Sequence, residues 1–135
     1  MKGIICDVNI EGQSQLLQSL LNSKEWHEIW SSLNLQVVSF DDLGLAHDAP
    51  DSLIWHTCQR EAFALITDNR NDEGPDSLEA TIRACNKPEN LTVFTLANSQ
   101  RFAAGGAYAH EVVESLLEYL LTIENCLGTG RLFLP

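Results

Sequence analysis

Three short apolar runs, each followed by aspartate, constrain the fold of this chain more than any other feature. They are Gly3-Ile4-Ile5-Cys6 before Asp7, Val37-Val38-Ser39-Phe40 before Asp41-Asp42, and Phe63-Ala64-Leu65-Ile66-Thr67 before Asp68. Runs this apolar are typical of strands buried on both faces of a parallel sheet. The carboxyl ends of such strands meet at one edge, where open α/β sheets bind ligands. Acids that are distant in the sequence are therefore predicted to lie at one edge of a sheet.

Helical patterns separate these runs. The spacing of apolar residues predicts helices over about 11–21, 26–33, 52–61, 76–85 and 106–126, and strands over 3–6, 35–40, 63–67, 91–96 and 131–134. Alternation of this kind favours a parallel sheet built from strand–helix–strand units. We predict a three-layer α/β fold, with a mostly parallel central sheet of four to five strands and helices on both faces. At 135 residues, the chain is expected to form a single domain over 1–135.

Details of these predicted elements follow from the same patterns. Asp51 and Asp76 suit the N-cap positions of their helices. Leu53, Ile54, Thr57 and Cys58 are expected to face inward from the helix over 52–61, and Ile29 is expected beside Trp26 and Trp30 on one apolar face. Asp7 has no strong helix-cap geometry, because Glu11-Gly12 separate it from the leucines of the first predicted helix.

Composition limits the possible compartments and partners. No stretch reaches the roughly 18 consecutive apolar residues of a membrane span. The apolar run within the first seven residues is too short for a signal peptide, because a charged residue ends it. We expect a cytoplasmic protein without a membrane partner. The four cysteines lack zinc-site spacing, so reduced, mostly buried thiols are expected.

The net charge of −11, from 19 acids and 8 bases, opposes non-specific attraction to nucleic acid. A nucleic-acid substrate would have to be held through metal ions and a few local bases. Arg70 suits either a phosphate or the carboxylate of Asp72. A basic protein partner is equally compatible with this charge.

Carboxylates that converge repel one another unless they share a cation, so the pattern favours a hard divalent metal. Such an ion supports phosphodiester cleavage. The candidate ligands are Asp7, Asp41 or Asp42, Asp51, and Asp68 or Asp72. Asn9 and Asn69 would add neutral oxygens or position water. Asp41 also suits a cap or a turn.

Several of these strings, taken in order, resemble a small PIN-like family related to the VapC-type toxin ribonucleases. They are Asp7-Val8-Asn9, Val37-Val38 leading into Asp42-Leu43-Gly44-Leu45, Ala49-Pro50-Asp51-Ser52-Leu53-Ile54-Trp55, and Leu65-Ile66-Thr67-Asp68-Asn69-Arg70-Asn71-Asp72. The resemblance covers roughly 3–72, and the order and spacing of the strings carry it. Beyond that range, only the general helix–strand pattern agrees.

The resemblance implies a Mg²⁺- or Mn²⁺-dependent endoribonuclease, compatible with the toxin half of a toxin–antitoxin pair. It implies Asp7, Asp51 and Asp68 or Asp72 as catalytic metal ligands, with Asn9 and Asn69 as polar support and with Asp42 and Asn69 positioning water. Two departures stand out. Val8 replaces the family's usual acid after the first Asp, and the common Asp-x-Asp-Phe string is replaced by 68–74, which contains no Phe.

These departures keep a second class of function open, a catalytically inactive PIN-like module that binds another protein. A receiver-like phosphoacceptor domain also clusters acids at strand ends, but it needs a lysine late in the chain, and Lys87 lies before the fourth strand. An antitoxin-like protein is a further expected partner. The apolar stretch 112–123 would serve either a homodimer or the core.

Overall fold

The computed structural model describes all residues, 1–135, and contains one five-stranded sheet in which every strand is parallel to its neighbours. The strands are β1 (Gly3–Cys6), β2 (Gln36–Val38), β3 (Phe63–Thr67), β4 (Val93–Leu96) and β5 (Arg131–Leu134). Their order across the sheet is β2-β1-β3-β4-β5. The predicted α/β fold with a parallel sheet is confirmed.

Six helices connect the strands. They are α1 (Glu11–Leu21), α2 (His27–Ser32), α3 (Asp51–Glu61), α4 (Leu78–Cys85), α5 (Ser99–Ala103) and α6 (Gly106–Leu121). Because side chains alternate along a strand, Ile5 and Leu65 pack with α3 and α4, whereas Ile4 and Ile66 pack with α1, α2, α5 and α6. The sheet is therefore the middle of three layers, as predicted.

The strand order places a topological switch point between β1 and β3. From β1 the chain first goes to β2 on one side, and it then crosses over to β3 on the other side. In doubly wound sheets the crevice at the carboxyl ends of the strands, beside such a switch point, is the usual ligand site. Asp7 directly follows β1 and Thr67 ends β3, so both residues lie at this crevice.

The predictions that β2 is a buried strand and that Leu53 and Ile29 lie on apolar, inward faces of their helices are wrong. β2 is an edge strand, with Gln36 exposed and both of its valines only half-buried. On α3, Leu53 is 49% exposed and Trp55 is buried instead. Ile29 is also exposed, although Trp26 and Trp30 lie in the core.

Some predicted helix ends also need correction. Ser77, not Asp76, caps α4, because Ser77 Oγ accepts a 3.1 Å hydrogen bond from Ala80 N. Asp51 does not cap α3; it is the first residue of that helix, and Pro50 precedes it as the N-cap. The predicted helix over 106–126 ends at Leu121 and is followed by a short 3₁₀ turn. Helix α5 was not predicted.

The apolar face of α6 packs on the sheet, with Val113 and Leu116 fully buried in the core. All four cysteines are free thiols, and three of them are buried, as expected. No helix in the structure is both long enough and apolar enough to cross a membrane.

Candidate functional site at the carboxyl edge of the sheet

Asp7 and Thr67 contact each other across the switch point. Asp7 Oδ2 accepts a 2.8 Å hydrogen bond from Thr67 Oγ1, and Asp7 Oδ1 accepts a 3.2 Å bond from the backbone N–H of Asn9. The second bond makes Asp7 the cap of a 3₁₀ turn, Val8–Ile10, although the sequence indicates no strong helix-cap geometry for it. Only 6% of Asp7 is exposed, so its carboxylate is held in one place.

Asp51 and Asn69 form the second half of the site. Asp51 Oδ2 accepts a 3.0 Å hydrogen bond from Asn69 Nδ2 and a 3.1 Å bond from the backbone N–H of Leu78, the first residue of α4. The Asp51 side chain thus stabilises the start of α4 rather than that of its own helix. Both bonds reach Oδ2, which leaves Oδ1 available to a ligand.

Thr67 connects the two halves. Its hydroxyl donates to Asp7 and accepts a 3.0 Å hydrogen bond from the backbone N–H of Asn69, whose side chain contacts Asp51. We call Asp7, Thr67, Asn69 and Asp51 the strand-end group. The alternation of β1 and β3 explains the grouping, since Ile5 and Leu65, two positions before Asp7 and Thr67, face α3.

Asp68 and Asp72 are placed differently from this group. Asp68 Oδ2 accepts a 2.7 Å hydrogen bond from Ser99 Oγ, at the start of α5 on the opposite side of the sheet. Asp72 is exposed and lines another depression, beside Arg70 and Arg83. The predicted metal role of Asp68 or Asp72 stays a prediction, and the structure does not bring either residue into hydrogen-bond contact with Asp7 or Asp51.

The donor set of the strand-end group is two carboxylates, one amide and one hydroxyl. No three Asp, Glu, His or Cys side chains are arranged so that they could hold a metal ion together. Mg²⁺, however, is commonly bound by one or two carboxylates with waters and substrate phosphates completing its shell. An ion at this group would therefore have to share its coordination with waters and a substrate, because the group contains only two carboxylates.

A cleft of about 590 Å³ opens beside the strand-end group, over the ends of β1 and β2. Four acids line it, namely Asp7, Glu11, Asp41 and Asp42, together with Asn9 and His47. Asp42 Oδ2 accepts a 2.9 Å hydrogen bond from Ser39 N, and His47 Nε2 lies 3.2 Å from Asp41 Oδ1. The predicted supporting residues Asn9 and Asp42 thus share a cleft with Asp7.

Arg131, in β5, adjoins the strand-end group from the other side. Its Nη1 donates to the backbone oxygen of Asn69 at 2.8 Å and to Thr95 Oγ1 at 2.7 Å. Burial lowers the pKa of Arg131, and the nearby carboxylate of Glu79 acts in the opposite direction. The guanidinium therefore places a positive charge against the loop that carries Asn69.

Thr67 and Arg131 are the residues that sequence reasoning missed. The sequence places Thr67 at the end of a strand and gives no direct sign that it donates a hydrogen bond, although its two-residue offset from Leu65 places it on the face of Asp7. For Arg131 the sequence carried no signal, because its position depends on β5 pairing with β4.

The comparisons with protein-family models, with characterised proteins and with solved structures found no match to this chain.

Proposed function

We propose that this chain is a PIN-like endoribonuclease that depends on Mg²⁺ or Mn²⁺, in which Asp7 and Asp51 hold the ion. The observation that supports the proposal is the hydrogen-bonded path from Asp7 through Thr67 and Asn69 to Asp51. This path runs along the carboxyl edge of the sheet at its switch point, where ligands of doubly wound sheets bind. The choice of RNA as the substrate comes from the sequence resemblance.

Thr67 and Asn69 orient the two carboxylates. Because Thr67 Oγ1 donates to Asp7 Oδ2 and Asn69 Nδ2 donates to Asp51 Oδ2, each carboxylate keeps one fixed oxygen. Carboxylates whose rotation is restricted in this way lose less entropy when they bind an ion. Burial of Asp7 also limits the water that competes for its oxygens.

A bound Mg²⁺ or Mn²⁺ would neutralise charge on the phosphodiester and make water a stronger nucleophile. Around it, the acidic cleft supplies Asn9 and Asp42, which we propose position water. Asp68 or Asp72 remains a further proposed ligand. Because Asp68 Oδ2 accepts from Ser99, Asp68 would bind the ion through Oδ1.

Cleavage of a labelled single-stranded RNA with Mn²⁺ tests this proposal. We expect activity in the wild-type chain and its loss, by at least about a hundredfold, in Asp51→Asn, because one of two ligand charges is removed. Asn keeps an oxygen that can accept from Leu78 N, so α4 remains capped. Asp48→Asn makes the same charge change on an exposed loop residue and should retain activity. No cleavage by the wild type, or equal loss in both variants, would overturn the proposal.

A second candidate is a non-catalytic module that binds a basic protein. The acidic cleft favours it, since Asp7, Glu11, Asp41 and Asp42 line one opening on a chain of net charge −11. An antitoxin-like protein is the kind of partner that both candidates share. Calorimetric titration with Mn²⁺ separates the two, because only the nuclease requires the strand-end group to bind the ion at millimolar concentration or below.

A further inference from the structure

Three of the eight basic residues of this acidic chain line a single depression of about 420 Å³. They are Arg70, in the loop after β3, Arg83, on α4, and Arg131, on β5. Two acids, Asp72 and Glu79, and the aromatic ring of Phe133 complete the charged and aromatic lining. We call this surface the arginine depression. The arginines outnumber the acids there, which reverses the balance of the chain as a whole.

Arg131 forms the floor of the depression and has one donor without a partner. Its side chain is only 7% exposed, and Nη1 is fully engaged with Asn69 and Thr95. Nη2 forms an ion pair with Glu79 Oε2 at 3.5 Å, whereas Nε is buried and has no partner. Buried donors without partners are uncommon because each one costs desolvation energy. An oxyanion that reaches the floor of the depression would supply the acceptor that Arg131 Nε lacks.

The chemistry of the missing acceptor follows from the donor type. Guanidinium groups form paired hydrogen bonds with planar or tetrahedral oxyanions, and phosphate is the typical partner. Arg70 and Arg83 are exposed and line the same depression, so a phosphate there would contact charge from three elements.

Phe133 adds a surface for a base. It is 51% exposed and lies two residues after Arg131 on β5, so both side chains project from the same face of an edge strand. Aromatic side chains beside a basic groove are how proteins hold unpaired bases. A phosphate on the arginines and a base on Phe133 together describe one nucleotide of a single strand.

We propose that the arginine depression binds single-stranded RNA, with a phosphate on Arg70, Arg83 and Arg131 and an adjacent base on Phe133. The inference deepens the proposed nuclease function, on which the choice of RNA rests. Asn69 links the two places, because its backbone oxygen contacts Arg131 and its side chain contacts Asp51. The depression supplies the local bases that a chain of net charge −11 needs to hold RNA.

The test measures binding of a fluorescent single-stranded RNA in EDTA, where the metal site is empty and no cleavage occurs. We expect the double variant Arg70→Ala/Arg83→Ala to bind at least tenfold more weakly than the wild type. The slope of log affinity against log salt should become shallower by about 0.7 for each lost phosphate contact. Phe133→Ala should weaken binding by roughly fivefold or more, the loss of one stacked base. Arg131 is left unchanged because it also holds the Asn69 loop.

Arg60→Ala is the matched control, since Arg60 is exposed at the end of α3 and pairs with Glu61. Its RNA affinity should stay within about twofold of the wild type. An equal loss in the control and the double variant, or no loss in the double variant, would overturn the proposal. So would binding of uridine monophosphate or inorganic phosphate without detectable binding of RNA. Because the assay needs no metal, RNA binding that depends on these arginines in a chain that never cleaves RNA would refute the nuclease and leave this site standing.

Discussion

Asp7 Oδ2 and Thr67 Oγ1 lie 2.8 Å apart although the two residues are 60 positions apart in the sequence. The contact is buried and joins the ends of β1 and β3, which are neighbours in the sheet. A carboxylate that is 6% exposed requires partners for its oxygens, and Thr67 is the only side chain that donates to it. The strand-end group therefore depends on this hydroxyl.

Replacing Thr67 by valine should destabilise the chain by about 1–3 kcal/mol, because it leaves Asp7 Oδ2 buried without its donor. Thr92→Val is the matched control. Thr92 is 1% exposed and its hydroxyl has no hydrogen-bond partner, so its removal should be neutral or slightly stabilising. Urea denaturation of both variants provides the comparison. Equal destabilisation would show that the Asp7–Thr67 bond contributes nothing specific.

Asn69→Asp should turn the strand-end group into a stronger cation site. The new carboxylate would stand where Asn69 Nδ2 now lies 3.0 Å from Asp51 Oδ2, and repulsion would cost about 1–4 kcal/mol in EDTA. Saturating Mn²⁺ should recover up to about 2.7 kcal/mol of that loss, which is the stabilisation by an ion at a hundred times its dissociation constant. Thermal unfolding with EDTA and with Mn²⁺ measures both effects.

The control for that variant is Asn125→Asp, an equal charge change at an exposed position. It should respond little to EDTA or Mn²⁺. A chain carrying Asn69→Asp that is as stable as the wild type in EDTA and indifferent to Mn²⁺ would show that residue 69 does not face Asp51.

Asp68→Asn and Asp72→Asn should reduce RNA cleavage less than Asp51→Asn does. Asp68 is hydrogen bonded to Ser99 and Asp72 lines the arginine depression, and neither side chain forms a hydrogen bond with the strand-end group. We expect losses below about tenfold, or roughly 1.4 kcal/mol of transition-state stabilisation. RNA cleavage rates of the three variants, measured at the same Mn²⁺ concentration, test this expectation. A loss in Asp68→Asn as large as that in Asp51→Asn would mean that Asp68 holds the ion as strongly as Asp51 does.

Gly3→Ala should weaken the pairing that places Asp7. A Cβ at Gly3 would collide with the backbone oxygen of Gln36 on β2, and such overpacking usually costs about 1–3 kcal/mol. Gly12→Ala, on α1, meets nothing within 4 Å and should stabilise the chain by up to about 1 kcal/mol. Relative to the wild type, the denaturation midpoint should fall in Gly3→Ala and rise in Gly12→Ala. Destabilisation by both changes would mean that the close contact of β1 and β2 is not the cause.

The buried thiols predict a loss of stability in alkali. Burial, reinforced by the charge of Asp7, raises the pKa of Cys6 from 9.0 to about 11 and that of Cys58 to about 12. The unfolded chain then releases these protons at lower pH than the folded chain. Stability is retained below pH 9 and falls as pH rises towards 11 to 12, by at most about 1.4 kcal/mol per pH unit for each thiol.

Urea denaturation between pH 8 and 11 checks this slope in the wild type and in Cys6→Ala/Cys58→Ala. The double variant should be less stable at pH 8, because it leaves cavities, and should lose less stability as pH rises. Parallel curves for the two proteins would show that these thiols do not titrate differently on unfolding.

Much of the fold was predictable because apolar runs and helical spacing are local properties. β1, β3 and the start of α6 lie where the patterns place them. Edge and centre positions were not predictable in the same way. The run at 37–38 is as apolar as a central strand, but the strand order leaves β2 at the edge of the sheet.

The site was predictable only in part, for a related reason. The strand ends place Asp7 and residues 67–69 at one edge of the sheet. Because side chains alternate along a strand, Asp68 is expected on the opposite face from Thr67. The partners of Asp51 depend on how the start of α4 packs against α3. The grouping of Arg70, Arg83 and Arg131 likewise requires the order β3-β4-β5, which no local pattern reveals.

Calorimetric titration of Mn²⁺ into the wild-type chain and into Asp7→Asn tests the central claim most directly. Asn preserves the shape of the side chain and an oxygen for Thr67 but loses the 3.2 Å hydrogen bond from Asn9 N, so urea denaturation of both proteins must first show that the variant is folded. We predict that the wild type binds Mn²⁺ at millimolar concentration or below and that Asp7→Asn binds it at least about tenfold more weakly, a difference of roughly 1.4 kcal/mol. Absence of millimolar binding in the wild type, or equal affinity in the two proteins, would contradict the account.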